Sequence, residues 1–288
     1  MFLRDDGRMT PTEAVLVTGA STGIGQAIVE HLADNNIRVF AAVRDLSSVA
    51  EHPLVTPVRL DVTSATEAQA AAETVRGALG DTRLRGVVNN AGIAVGGPLE
   101  FLDLDEFRHQ LEVNVIGQLA VTQAFLPLLR RHGGARIVFT SSIGGRIAAP
   151  FIGPYAASKH ALNGMAESLR RELKPWGMGV SVLAPATVAT PIWEKAGGQI
   201  DDLEASLPPE AIELYGATIS SMRGMTSNAT DAGIPASQVA DAAHHALFSR
   251  RPKAEYLIGR EAKLMAAAST LLPYRTFDKA VLKEIAKG

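Results

Sequence analysis

The stretch AVLVTGASTGIGQAIVEHLADN, residues 14–35, decides how this chain is read. Ala14 to Thr18 is a short apolar run closed by glycine, the pattern of a buried strand. Gln26 to Asn35 places Ile28, Val29 and Leu32 at helical spacing. Between the two lie Gly19, Ala20, Ser21, Thr22, Gly23, Ile24 and Gly25. A strand, a glycine turn and a helix in succession have a physical use. Glycines without a Cβ let a pyrophosphate approach the backbone, and the helix N-terminus supplies N–H groups and partial positive charge. A ligand-free tight turn has the same outline. The placement between a strand and a helix near the N-terminus favours nucleotide binding.

Working outward, Arg38 to Arg44 reads as a second strand whose end should reach the adenosine ribose, about 20 residues past the glycines. A carboxylate there would hold the free hydroxyls of NAD, and a cation would pair with the extra phosphate of NADP. The strand ends in Val43 and Arg44 with no acid before Asp45, so NADP is expected ahead of NAD. Leu54 to Leu60 is a third strand, followed by Asp61 and Val62. Asp61 either accepts from the adenine amino group or caps the next helix with Thr63 and Ser64. Ala65 to Leu79 is helical. Leu84 to Val88 is a fourth strand running into Asn89, Asn90, Ala91 and Gly92, small and amide residues that suit either a backbone in contact with a cofactor or a plain turn.

Asp103 to Glu106 resembles a capping box and opens a helix to about Arg131. Asn114 lies on it among Val113, Val115 and Ile116. A buried asparagine needs partners, so it either braces backbone or holds a water beside a catalytic lysine. Arg136 to Thr140 is a fifth strand with Ser141 and Ser142 at its end. The next helix carries Tyr155 and Lys159 one turn apart on one face and continues through Leu173. Val180 to Leu183 is a sixth strand, followed by Pro185, Ala186, Val188 and Thr190. From Ile192 to about Ile234 the period loosens, and an irregular lid or binding loop is expected. Its Ile192, Trp193, Leu207, Leu214, Tyr215 and Met222 read equally as pocket lining or ordinary core. Pro235 to Phe248 is a helix and Glu255 to Ile258 a last strand. The tail from Arg260 is helical, interrupted at Leu271, Leu272 and Pro273. The expected division is a flexible lead-in over 1–12, an α/β domain over 13–260 with an insert at 190–234, and a helical extension over 261–288.

The chain has 288 residues, enough for one sizeable core, and a net charge of −2 that argues against a nucleic-acid binder. It contains no cysteine, which excludes disulfides, thiolate catalysis and cysteine-ligated zinc and fits a reducing cytoplasm. No membrane span and no signal peptide are expected. The histidines are scattered, so no metal site is expected.

Read together, these segments resemble the short-chain dehydrogenase/reductase family over about 13–259. Thr18 to Gly25 is similar to its cofactor turn, Asn89 to Gly92 to its fourth-strand motif, and Asn114, Ser142, Tyr155 and Lys159 to its catalytic set. The resemblance implies a doubly wound, Rossmann-like parallel sheet of order 3-2-1-4-5-6-7 with helices on both faces, and a homodimer or homotetramer built through the Asn114 and Tyr155 helices. One departure is Ala186, where the family usually has glycine after Pro185; its methyl is expected near the nicotinamide. Val188 and Thr190 match positions that contact carboxamide and phosphate. The implied activity is hydride transfer between NADP(H) and an apolar ketone or secondary alcohol. Tyr155 exchanges the proton, helped by an ammonium at Lys159 that favours tyrosinate, and Ser142 holds the reacting oxygen. The competing reading is a non-catalytic NADP(H)-binding sensor or scaffold on the same fold.

Overall fold

In a computed structural model the described residues are 11–131, 133–190, 204–205 and 207–285, with backbone alone over 221–232 and 284–285. The elements run β1 (Glu13–Thr18), α1 (Gly23–Asp34), β2 (Arg38–Val43), β3 (Val55–Arg59), α2 (Ala65–Leu79), β4 (Arg83–Asn89), α3 (Leu104–Leu111), α4 (Gln118–Arg130), β5 (Arg136–Thr140), α5 (Gly153–Glu172), β6 (Gly179–Pro185), α6 (Pro209–Ala232), α7 (Ala236–Phe248), β7 (Glu255–Ile258), α8 (Arg260–Leu271) and α9 (Tyr274–Ile285). The strands form one parallel sheet of order β3-β2-β1-β4-β5-β6-β7, as expected. The flexible lead-in read over 1–12 lies outside the described residues up to position 10.

Alternation along the strands builds two cores. Leu16, Phe40, Val87, Ile137 and Phe139 face one layer, where Val75 of α2, Phe125 and Leu129 of α4 and Leu162 of α5 cover them. Val15, Val17, Val39, Val88 and Val138 face the other, under Ile28 and Leu32 of α1 and Val239 and Leu247 of α7. Strands apolar on both faces are what a parallel sheet sandwiched by helices requires. Each fully buried side chain of this size contributes about 1.5–3 kcal/mol through removal from water. The order of strands reverses between β1 and β4, and the loops at the carboxyl ends there form the crevice where such sheets bind ligands.

Two expectations need correction. Of the stretch read as irregular over about 192–234, positions 209–232 form a 24-residue helix, and 192–203 lie outside the described residues. Pro209 starts it, where a missing N–H costs nothing. It stays anchored because Ala211 and Ile219 are buried. Glycines and methionines hide the period that this packing enforces. No membrane-spanning length was expected either, yet Leu104–Arg130 forms one 27-residue helix apolar enough to meet that criterion. It packs on the sheet, with Phe125 and Leu129 in the core, and a core helix passes the same test. Its middle, Glu112–Gly117, is a π-helical turn, a widening often found beside functional sites.

Candidate active site

At the end of β1 the chain turns through Gly19 and Gly23, both with φ near +60°, where a side chain is strained. A Cβ on Gly19 would lie 2.8 Å from Ala91 Cα, and one on Gly25 would lie 2.1 Å from the Gly19 carbonyl oxygen. Thr22 precedes α1 in extended conformation and places no side-chain cap on the helix, so the first N–H groups of α1 face the turn with Ser21 and Ile24. Bare backbone and an open helix N-terminus fit a diphosphate.

Thr18 and Asn90 hold this turn against β4. The Thr18 hydroxyl accepts from the Asn90 and Ala91 N–H groups at 2.9 and 3.0 Å, and the Asn90 side-chain amide donates to the Thr18 and Gly19 carbonyls at 3.1 and 3.2 Å. Asn89 turns the other way, into the α4 layer, and donates to Thr122 at 2.9 Å. Asn90 is therefore the amide at the glycine turn, and Asn89, read together with it from sequence, is not. The only available signal was the place of Asn90 one residue past the strand, since residues along a strand alternate faces.

The flanking strand ends bring the remaining residues to the same edge. Arg44 is exposed beyond β2, and its carbonyl accepts from the Arg59 guanidinium. Asp61 is used as a turn acceptor: its Oδ1 takes the Thr63 N–H and hydroxyl at 3.0 and 2.7 Å, which holds its carboxyl below the usual carboxylate range. Ser64 caps α2. Val62 is buried, and its carbonyl oxygen lies against Gly117 of the π turn, 2.7 Å from where a Cβ would sit. Beyond β6, Pro185, Ala186, Val188 and Thr190 follow in order. Val188 pairs with Ile234, and Thr190 donates weakly to the Val188 carbonyl at 3.4 Å. The methyl of Ala186 lies 3.4 Å from the Cβ position of Gly259, a residue at φ +93°. It therefore rests against the turn after β7, on the side where Gly259 offers the room.

Ser142, Tyr155, Lys159 and Asn114 converge beside Gly92. Tyr155 and Ser142 meet at Gly144, where a Cβ would lie 3.2 Å from the Tyr155 ring and 3.4 Å from Ser142 Oγ, and Ser142 Oγ accepts from the Gly144 N–H at 3.0 Å. Lys159 is 4 % exposed; its Nζ donates to the Thr140 carbonyl at 2.8 Å and lies 5.5 Å from the centre of the Tyr155 ring. A Cβ on Gly92 would come within 3.1 Å of Asn114 Oδ1 and 3.8 Å of Lys159 Nζ, so the glycine keeps these groups close. Asn114 realises the bracing alternative. Its Oδ1 accepts from the Ile93 N–H at 2.9 Å, and its amide donates to the Ile93 carbonyl and to Ser158 Oγ, both at 3.0 Å. Gln110 and Gln118, four residues away on either side, bond the same loop: Gln110 at Ile93 and Val95, Gln118 at Ala91. Buried amides on an apolar helix are a signal the sequence offered for all three.

The ammonium at Lys159 that is expected to favour tyrosinate works against burial. Burial pushes the Tyr155 phenol up, and the Ser142 hydroxyl beside it offsets part of that. Burial also lowers Lys159 from 10.5 to about 8. Removal from water disfavours tyrosinate and ammonium alike, so each group moves toward its neutral form.

A cavity of about 200 Å3 lies between the loop after β4, the loop entering α5 and α6, lined by Pro98, Leu99, Glu100, Pro150, Phe151 and Tyr215. Tyr215 thus belongs to a pocket wall, whereas Leu214 is 59 % exposed. Ile192 and Trp193, and the side chain of Met222, lie outside the described residues.

A family model described as short chain dehydrogenase matches residues 13–201. A 3-amino-tetrahydro-pyrrolizinone reductase from Xenorhabdus hominickii is 36 % identical over 277 residues, covering 93 % of this chain and 94 % of its own length. An NADPH-dependent 3-dehydrocapnine reductase from Ornithobacterium rhinotracheale is 32 % identical over 288 residues, covering 94 % and 97 %. Among solved structures, a short chain dehydrogenase/reductase from Burkholderia phymatum in complex with NAD superposes with a TM-score of 0.76 at 26 % identity, over 91 % of this chain and 93 % of that one.

Proposed function

The chain belongs to the short-chain dehydrogenase/reductase family of NAD(P)-binding oxidoreductases, and on that premise we propose that it transfers hydride between NADP(H) and the carbonyl of an apolar ketone, with Tyr155 as proton donor. The observation that carries the reading is the convergence of the Tyr155 ring and Ser142 Oγ at Gly144, with Lys159 buried beside the ring. When bound, the nicotinamide supplies or accepts the hydride.

Everything else falls to the chain's own groups. Burial keeps Tyr155 a neutral phenol at pH 7, the form needed to protonate a developing alkoxide. Ser142 donates to the same oxygen and stabilises its charge. Lys159, charged below about 8, favours the tyrosinate left behind and reaches the ribose side of the crevice. Gly19 to Gly25 hold the diphosphate, Asn90 and Thr18 fix the turn, and Gly92 keeps backbone near the ring. Arg44, with Arg59 beside it, is the cation that favours the 2′-phosphate of NADP over NAD. An NADPH-dependent relative supports that preference; a neighbour holding NAD shows that the fold alone does not decide it.

The test is consumption of NADPH and NADH in parallel against a panel of ketones. Tyr155→Phe should lower turnover by about 10²–10⁴-fold, the range of a lost general acid, while NADPH binding persists. Undiminished turnover in that variant refutes the assignment of Tyr155. Self-association through the helices bearing Asn114 and Tyr155 is proposed with it, and light scattering of the purified chain checks it.

A further inference from the structure

We propose that the outer face of α8 and α9 docks on a bilayer surface rich in anionic headgroups. The proposal goes beyond the hydride-transfer reading and does not depend on it. In α8 the pattern of an ordinary surface helix is inverted. Ala262 and Ala266 are buried, while Leu264 and Leu271 point outward at 71 % and 79 % exposure. Seven residues apart, the two leucines share one stripe, and Ala267 and Ala268 lie between them on it. At the corner where α8 meets α9 the chain exposes Leu271, Leu272, Pro273 and Tyr274, the last at 88 %. Apolar side chains scattered singly over a surface are ordinary, whereas a run of them along one helix and its corner marks a contact.

The charge on the same two helices identifies the partner. Residues 260–283 hold five cations, Arg260, Lys263, Arg275, Lys279 and Lys283, against two acids, Glu261 and Asp278, in a chain whose net charge is −2. All five cations are exposed, and none belongs to an ion pair among the described residues. In α9, Arg275, Lys279 and Lys283 recur every four residues and make one stripe, while Phe277 and Val281 turn the other way and are half-buried. Leu282 is exposed and borders that stripe. Cations beside outward leucines, with a tyrosine at the boundary, are the composition of a helix that lies in the headgroup region of anionic lipid.

A second copy of the chain fits this face less well. In a two-fold contact the face meets itself, so the cations of one protomer would oppose those of its partner. Leu271 and Tyr274 also stand out from a corner between helices. A rigid protein surface needs a matching recess for such projections, and acyl chains close around them without one.

Co-sedimentation of the full chain with vesicles tests this. Phosphatidylcholine vesicles holding about 30 % phosphatidylglycerol should bind it at least about tenfold more tightly than pure phosphatidylcholine, with the difference lost between about 0.05 and 0.5 M NaCl. Each cation near such a surface is worth about fivefold in affinity, so Lys279→Glu with Lys283→Glu should weaken binding by at least about tenfold. Leu264→Ser with Leu271→Ser should do the same through lost apolar contact. All four positions are exposed, so both double variants should keep the wild-type Tm within about 2 °C, which separates lost docking from lost folding. No sedimentation with the anionic vesicles, equal binding to both vesicle types, or binding that survives in both variants overturns the proposal. So does light scattering that shows a dimer of the wild type dissociated by the two serine substitutions while neither form sediments with lipid, since a second copy then covers the face.

Discussion

Replacing Lys159 by methionine sets stability against function in a way the buried geometry makes quantitative. Lys159 is 4 % exposed, with one hydrogen bond to the Thr140 carbonyl and its pKa lowered from 10.5 to about 8. A folded-state pKa below the unfolded one means that the unfolded chain holds the proton more tightly. The charged lysine therefore costs the fold about 3 kcal/mol below pH 8, a cost that fades as pH rises toward 10.5. Lys159→Met removes the cost and keeps much of the volume. It also removes the hydrogen bond to Thr140, a loss of about 1 kcal/mol. The variant should therefore be more stable by about 2 kcal/mol near neutrality, roughly 4–8 °C in Tm for a chain of this size. The advantage should shrink between about pH 8 and pH 10. Urea and thermal unfolding of both proteins at pH 6, 7, 8 and 9.5 measure it. A variant no more stable at pH 6, or a difference that stays constant across the series, would falsify the claim that burial of this charge is a standing cost. Turnover should collapse in the same variant, because the cation beside Tyr155 is gone.

The same ionisation should appear in catalysis. Ketone reduction should decline as pH rises through about 8, where Lys159 releases its proton, and a rate profile flat from pH 7 to 9.5 would remove the charge from the mechanism. Arg44→Asp should weaken NADPH by about 10–100-fold, the worth of a charge-assisted contact, while NADH changes far less; fluorescence titrations with both cofactors decide it, and equal losses would sink the phosphate assignment. Thr18→Val leaves the Asn90 and Ala91 N–H groups without their acceptor and should destabilise the fold by about 2–3 kcal/mol, read from urea midpoints; an unchanged midpoint would show that water or another acceptor replaces the hydroxyl.

Local patterning carried most of the architecture into the sequence. Ala65–Leu79, Arg136–Thr140 and Glu255–Ile258 form with the bounds read from their apolar period, because each is terminated by its own cap, glycine or polar neighbour. The meeting of Ser142 with Tyr155 was legible because both lie at ends of adjacent elements. Three things were not. The helix over 209–232 owes its form to burial of Ala211 and Ile219 against the rest of the protein, which no local period records. The protonation of Tyr155 depends on the balance between desolvation and the polar groups beside it, and sequence spacing supplies the cation but not the dielectric. Which of Asn89 and Asn90 meets the glycine turn was hidden because a one-residue step along a strand reverses the face a side chain meets.

The widened turn at Glu112–Gly117 makes one more demand on this protein. An ordinary helix advances a new side chain every 100°, so one surplus residue in a single loop of the spiral displaces the angular position of everything downstream. Asn114 sits inside that surplus, between Gln110 and Gln118. Removing any one position from 113–116 would let the coil close normally, and the helix by itself would be better formed. The three amides would then fan out in different directions, and the segment after β4 would lose the fastenings that align Gly92 with Lys159. Evolution of this region cannot shorten the word.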